Sequence, residues 1–162
     1  RYVVRRQRVD GSWTYGADNY QSWADNFHTA FVLTSLARLI SAGADEANEL
    51  TGALRRGYGF WRESFFLAGG WPKYYHDRAY PADAHSAAAA IVCLCELKDV
   101  NAGALPFATE VADWSLRHLR APEGYFYYQR RRTHTVRTPY MRWSQAWMLY
   151  ALARLLETMN AE

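Results

Sequence analysis

Three stretches of this chain read alike, and their spacing constrains everything else. Phe27-His28-Thr29-Ala30 heads one apolar run, Ala84-His85-Ser86-Ala87 a second, and Trp143-Ser144-Gln145-Ala146 a third, 57 and 59 residues apart. A repeat of that length with no strand-rich segment inside it predicts stacked helical hairpins. The three runs are apolar nearly all round, the pattern of helices buried on most sides, expected near residues 26–41, 84–98 and 142–158. Between them lie one-sided patterns: Leu50, Leu54, Tyr58, Trp61 and Phe65, then Phe107, Val111, Trp114 and His118. Each has one apolar stripe and one charged face, which predicts outer-layer helices near 46–67 and 105–120. An earlier outer helix survives as Arg1 to Gln7.

Before each head stands a glycine followed by aromatics: Gly11-Ser12-Trp13-Thr14-Tyr15, Gly70-Trp71-Pro72-Lys73-Tyr74-Tyr75, and Gly124-Tyr125-Phe126-Tyr127-Tyr128. The glycine reads as the end of the preceding helix. The alternating aromatics read as extended connectors or very short strands. Alternating outer and inner helices joined this way give an all-α fold, an α/α toroid of repeated helical hairpins. Three inner helices make about half a ring, since six hairpins need roughly twice this length at this repeat. The expectation is one domain over residues 1–162, the C-terminal part of a longer chain. A missing N-terminal half, or self-association, would then complete the ring.

The polar heads mark the N-termini of the inner helices, which open on one mouth. Free N–H groups and the positive dipole end there favour an anionic ligand. Composition agrees. Seven Trp and twelve Tyr among 162 residues supply flat faces for sugar rings, and a net charge of +3 suits an anionic glycan better than nucleic acid. Cys93 and Cys95 are two apart in an apolar helix, point nearly opposite ways, and read as reduced core residues. The sequence holds no run apolar and long enough for a membrane span.

The candidate chemistry lies at the heads. Asp25 and Asp83 are either helix N-caps or a carboxylate pair for glycoside hydrolysis. His28 and His85, read as equivalent repeat positions, are candidate acid and base groups, with an ordinary pKa in the useful range. Tyr75 offers a phenol for a second proton transfer. Arg142, among apolar neighbours, needs a partner: Asp25, Asp83 or a substrate carboxylate. Asn26, His76, Gln145, Tyr128, Trp13, Trp71 and Trp143 complete the expected substrate-binding set. Asn, His, Tyr and Arg together are what a polyuronate lyase or uronyl epimerase needs. A hydrolase would depend on Asp25 and Asp83 instead. No tight His-x3-His spacing points to a metal, and no phosphate loop, serine-nucleophile motif or dinucleotide fingerprint points to a cofactor.

Gln7 to Trp13, QRVDGSW, resembles the QW-type repeat of terpene cyclases and the prenyltransferase-like toroids. The DxDD acid motif and the zinc ligands of those enzymes are absent. Over nearly the whole chain, SW-Y (Ser12 to Tyr15), DNFHTA (Asp25 to Ala30), PKYYH (Pro72 to His76), YPADAHSAA (Tyr80 to Ala88), GYFYYQ (Gly124 to Gln129) and PYMRWSQAWM (Pro139 to Met148) resemble another group. It comprises bacterial proteins encoded with polysaccharide biosynthesis genes, and related α/α-toroid carbohydrate-active enzymes. Ala30 and Ala89 replace the glycine and glutamine usual there. The resemblance implies a saccharide ligand and a bacterial, cytoplasmic protein: a lyase, epimerase or hydrolase, or else a non-catalytic glycan binder or helical scaffold.

Overall fold

The computed structural model describes residues 1–45 and 47–161. Glu46, the first residue of the expected outer helix, and Glu162, the last of the expected domain, lie outside them. Six α-helices carry the fold: α1 (Tyr2–Arg6), α2 (Asn26–Ser41), α3 (Glu49–Ser64), α4 (Ala84–Glu96), α5 (Ala104–His118) and α6 (Trp147–Asn160). α2, α4 and α6 take the inner positions and α3 and α5 the outer layer. α6, expected to be buried on most sides, buries Met148, Ala151, Leu155 and Thr158 and leaves Leu149, Tyr150, Leu156 and Met159 exposed, because no further helix covers that face among the described residues.

α4 is the centre of the arrangement. It packs on α2, α5 and α6, and it is buried from Ala84 to Cys95 except at His85. Its run Ala87-Ala88-Ala89-Ala90 keeps the helix thin where these neighbours crowd it. One continuous core joins Leu33 and Leu36 of α2, Leu54 and Trp61 of α3, Ile91 and Leu94 of α4, Val111 of α5 and Met148 of α6. Cys93 and Cys95 are buried free thiols within it. Burial pushes the Cys93 thiol up to about 12, so it stays protonated and inert.

The connectors form strands of two residues each: β1 (Phe66–Leu67), β2 (Trp71–Pro72), β3 (Ala82–Asp83), β4 (Gln129–Arg130) and β5 (Thr135–Val136). β1 and β2 pair antiparallel, and β3, β4 and β5 form a small antiparallel sheet in that order. The expectation of an all-α chain is therefore met in its helices and extended by these strands. Their placement is regular. Asp25 bridges Tyr75, and Asp83 pairs with Gln129, so the residue capping an inner helix is tied to the next connector.

The repeat glycines differ from the sequence expectation. Gly11, Gly70 and Gly124 have φ of 90°, 72° and 99°, but each lies five or six residues beyond its helix rather than at its end. At Gly11 and Gly70 the use is close approach, whereas a Cβ on Gly124 would meet nothing within 4 Å. A Cβ on Gly11 would meet the Arg56 carbonyl of α3 at 2.4 Å, and one on Gly70 the Glu110 carbonyl of α5 at 2.5 Å. The first two connectors thus lie against the following outer helix. The third inner helix also differs: Met141–Ala146 winds as a π-helical turn, and regular α geometry begins only at Trp147.

Candidate functional site

Asp25 and Asp83 both cap their helices. The Asp25 carboxylate accepts the His28 backbone N–H (2.9 Å), and Asp83 accepts that of Ser86 (2.7 Å). Both are buried, at 2% and 1% exposure. The caps fix the true register of the repeat: they are 58 residues apart, so His28 corresponds to Ser86 and His85 to Phe27. The two histidines are not equivalent repeat positions.

They are nevertheless brought together. The His28 Nδ1 lies 2.8 Å from Asp25 Oδ2 and 3.0 Å from Oδ1. That carboxylate holds the proton on Nδ1 and leaves Nε2 as the free lone pair. The His85 ring stacks on Phe27 at 4.4 Å, and the same Phe27 ring lies 4.1 Å from His28. Trp147 of α6 closes on His85 at 5.1 Å and Phe31 at 5.2 Å. Tyr15 stands edge-on to His28 at 4.8 Å. His85 Nε2 is buried with no hydrogen-bond partner among the described residues. Burial, reinforced by the neighbouring His28, lowers the His85 pKa to about 4, so the ring is neutral at pH 7. The site thus pairs an oriented imidazole with a neutral, half-buried one inside an aromatic wall. His28, at the end of a cavity of about 350 Å³ along α2, is reachable from solvent.

Asp83 stands apart from this chemistry. Burial raises its pKa to about 6, with Asp25 adding to the rise and Ser86 hydrogen bonds opposing it. Its carboxylate is buried and accepts the Ser86 N–H, the arrangement of a helix cap. Asn26 is likewise structural. Fully buried, it accepts from Trp61 Nε1 (2.8 Å) and donates to the Lys73 carbonyl (2.9 Å), tying α3 and a connector to the mouth of α2. Trp13 is buried, donates to the Val3 carbonyl, and packs where Gly57 leaves room for its ring. Gln145 gives both ends of its amide to the backbone of Phe126. Trp71 packs on Trp114 and Tyr80. His76 packs on Phe60 and Phe65 at the outer layer, away from the histidines.

Tyr75 and Tyr128 do line a common space, a rim cleft beside Tyr74 and Tyr80. Trp143 extends this aromatic rim through Tyr140, with Tyr128 5.0 Å from Tyr140 and Trp143 5.5 Å from it. Arg142 is exposed, lies over Trp143, and makes no ion pair among the described residues. Sequence reasoning placed Tyr74 among the phenols near the mouth but missed Phe27, Phe31 and Trp147. Trp147 was legible only as helix core, because the π-turn shifts it to the place beside His85. Tyr74 sits between the two capping carboxylates; burial first, then those charges, raise its pKa.

Among the described residues, no three His, Cys, Asp or Glu side chains gather so as to hold a metal, and no helix is long and apolar enough to cross a membrane. No protein-family description and no curated protein matches the sequence. Solved structures do match the fold. Cellobiose 2-epimerase from Spirochaeta thermophila DSM 6192 superposes with a TM-score of 0.77 at 17% identity, over 98% of this chain and 45% of that one. Cellobiose 2-epimerase from Bacillus thermoamylovorans B4167 gives 0.73 at 14% identity, over 96% and 46%. A sugar epimerase from a ruminal bacterium gives 0.68 at 12%, over 98% and 46%. The chain spans a little under half the length of each, and it has the α/α-toroid fold of that portion.

Proposed function

We propose that the chain carries part of the active site of a sugar epimerase, with His28 and His85 moving the proton. The observation that supports this reading best is the pair itself: His28 oriented by Asp25, and His85 neutral with a free, buried Nε2, on either side of one phenylalanine. Epimerisation beside a carbonyl removes a carbon-bound proton from one face and returns one to the other. The free Nε2 of His28 suits the base, and His85, neutral at pH 7, suits the group that takes up a proton and returns it to the other face. The carboxylates are capping groups, so nothing in the site favours hydrolysis. The fold shared with sugar epimerases supports a saccharide ligand. A place in bacterial cytoplasmic polysaccharide metabolism rests on the sequence resemblance alone. Completion of the ring, by a further part of the chain or by self-association, belongs to the same reading. It is supported by apolar residues left exposed on α6 (Leu149, Leu156, Met159) and on α1 (Tyr2, Val3).

The test is solvent deuterium uptake in D2O, with cellobiose and an oligouronate as substrates and the full-length protein as catalyst. Deuterium should enter the epimerised carbon, and His28→Ala or His85→Ala should lower kcat by roughly 10²–10⁴ while the circular dichroism stays native. Binding without deuterium uptake would make the protein a non-catalytic glycan binder. Full activity in both histidine variants would remove the proposed roles.

A further inference from the structure

The positive charge of this chain is not spread evenly. Residues 119–146, the connector to the third inner helix, hold six arginines and one glutamate, a net +5, while the rest of the chain is net −2. The connector borders the rim cleft. That cleft has a volume of about 480 Å³ and is lined by Tyr74, Tyr75, Tyr80, Tyr128, Gln129 and Arg131. Four tyrosines give it flat faces with hydroxyl tips, the lining that suits a sugar ring. Arg131 brings the charge. Its Nε donates to Oε1 of the buried Gln129 at 2.9 Å, and its backbone N–H to the His134 carbonyl at 2.8 Å. These bonds hold the side chain at the cleft, and its terminal nitrogens meet no carboxylate among the described residues. A guanidinium fixed at one nitrogen and open at the others is set to receive a carboxylate.

The cleft also adjoins the histidines. Tyr74 on its lining has its ring 5.8 Å from that of Phe27, which itself touches both imidazoles. Neighbouring units of one saccharide chain can therefore occupy the two places.

We infer that the rim cleft is a second saccharide subsite, selective for an acidic sugar unit whose carboxylate is bound by Arg131. The inference rests on the saccharide reading of the mouth and adds the substrate class, an oligosaccharide containing a uronate. In this role the tyrosines hold the ring and Arg131 reads its charge. Arg142, which lies over Trp143 and does not line the cleft, is not required.

Calorimetry on the full-length protein with trigalacturonate and with cellotriose tests it. The uronate trimer should bind more tightly than the neutral one. Arg131→Ala should weaken the uronate trimer roughly tenfold or more, the ordinary effect of losing a charge-assisted hydrogen bond, and leave cellotriose nearly unchanged. Arg131→Lys should recover only part, since a point charge replaces the fork. Arg132→Ala removes the same charge from an exposed position outside the cleft and should leave both affinities within about twofold. Equal loss in the Arg131 and Arg132 variants would reduce the effect to general attraction and overturn the subsite. So would equal binding of the two trimers, or no binding of trigalacturonate at all. None of these outcomes touches the epimerase reading, which stands or falls on deuterium uptake.

Discussion

Asp83 and His85 are two residues apart, and their burial acts on stability in opposite directions. The Asp83 carboxyl is raised from 3.8 to about 6. Between those values the native state keeps a proton that the unfolded chain has released, so stability falls as pH rises from 4 to 6. At about 1.4 kcal/mol per unit, the fully buried group costs about 3 kcal/mol by pH 7. His85 is lowered from 6.5 to about 4. Between those values the unfolded chain holds a proton that the native state refuses, so stability rises as pH climbs from 4 to 6.5. The wild-type profile hides both effects because they overlap. Asp83→Asn keeps a capping side chain and removes the falling branch. The variant should match wild type near pH 4 and gain on it steadily, reaching about 1–3 kcal/mol at pH 7, less whatever the cap loses with its charge. His85→Phe preserves the stack on Phe27 and Trp147, removes the rising branch, and should lose ground as pH rises from 4 to 6. Urea unfolding followed by tryptophan fluorescence, at constant ionic strength and fixed m-value, measures both. Groups remote from the site titrate alike in the paired proteins, so the difference curve isolates the site with its immediate neighbours. A difference between Asp83→Asn and wild type that stays flat within about 0.5 kcal/mol from pH 4 to 7 would refute the reasoning.

Two further predictions concern the frame that holds the mouth. Asn26→Ala leaves the buried Trp61 N–H and the Lys73 carbonyl without their partner, and should cost about 2–4 kcal/mol, or a drop of about 1–2 M in the urea midpoint; an unchanged midpoint would return Asn26 to the substrate-binding set. Leu94→Ala and Leu36→Ala, in the cores of α4 and α2, should each cost about 2–5 kcal/mol by urea titration, and near-neutral values would reject the assignment of these helices as inner.

The helices were legible because burial writes its period directly. The run from Asn26 to Ser41 and the stripe from Leu50 to Phe65 each fixed an element and its layer. Burial of single side chains was less legible, because it depends on what the far side of the fold supplies. Trp13 looks like a sugar platform in sequence, yet Gly57, 44 residues on, leaves the space that takes its ring. Asn26 looks like a polar mouth residue, yet Trp61 claims its oxygen. Arg142 failed in the other direction. Its apolar neighbours implied a buried charge, but Met141 and Trp143 are themselves exposed, and the arginine lies over Trp143 in solvent. In the third head Ser144 and Gln145 stand where the first two have His and then Thr or Ser, so that repeat was carried by spacing and by the apolar run that follows. The π-turn inserts extra backbone before Trp147, and no residue pattern announced it.

The one-residue slip between the histidines decides what each can do. The third residue of a helix lies above its cap, so His28 reaches back to the Asp25 that begins α2, and gains both an orientation and a tautomer. The second residue is rotated by about 100° from that direction. His85 therefore cannot reach Asp83, which takes the Ser86 N–H, and turns toward Phe27 and Trp147 instead. Had the two histidines held the same repeat position, both would sit against a carboxylate and both would be alike. Placed one residue apart, the same capped helix start yields one imidazole tied to a carboxylate and one held neutral among aromatic rings. In the proposed epimerisation one group takes a proton from one face of a carbon and a second supplies one to the other face; the difference between the two imidazoles comes from register, with no change in the kind of residue used.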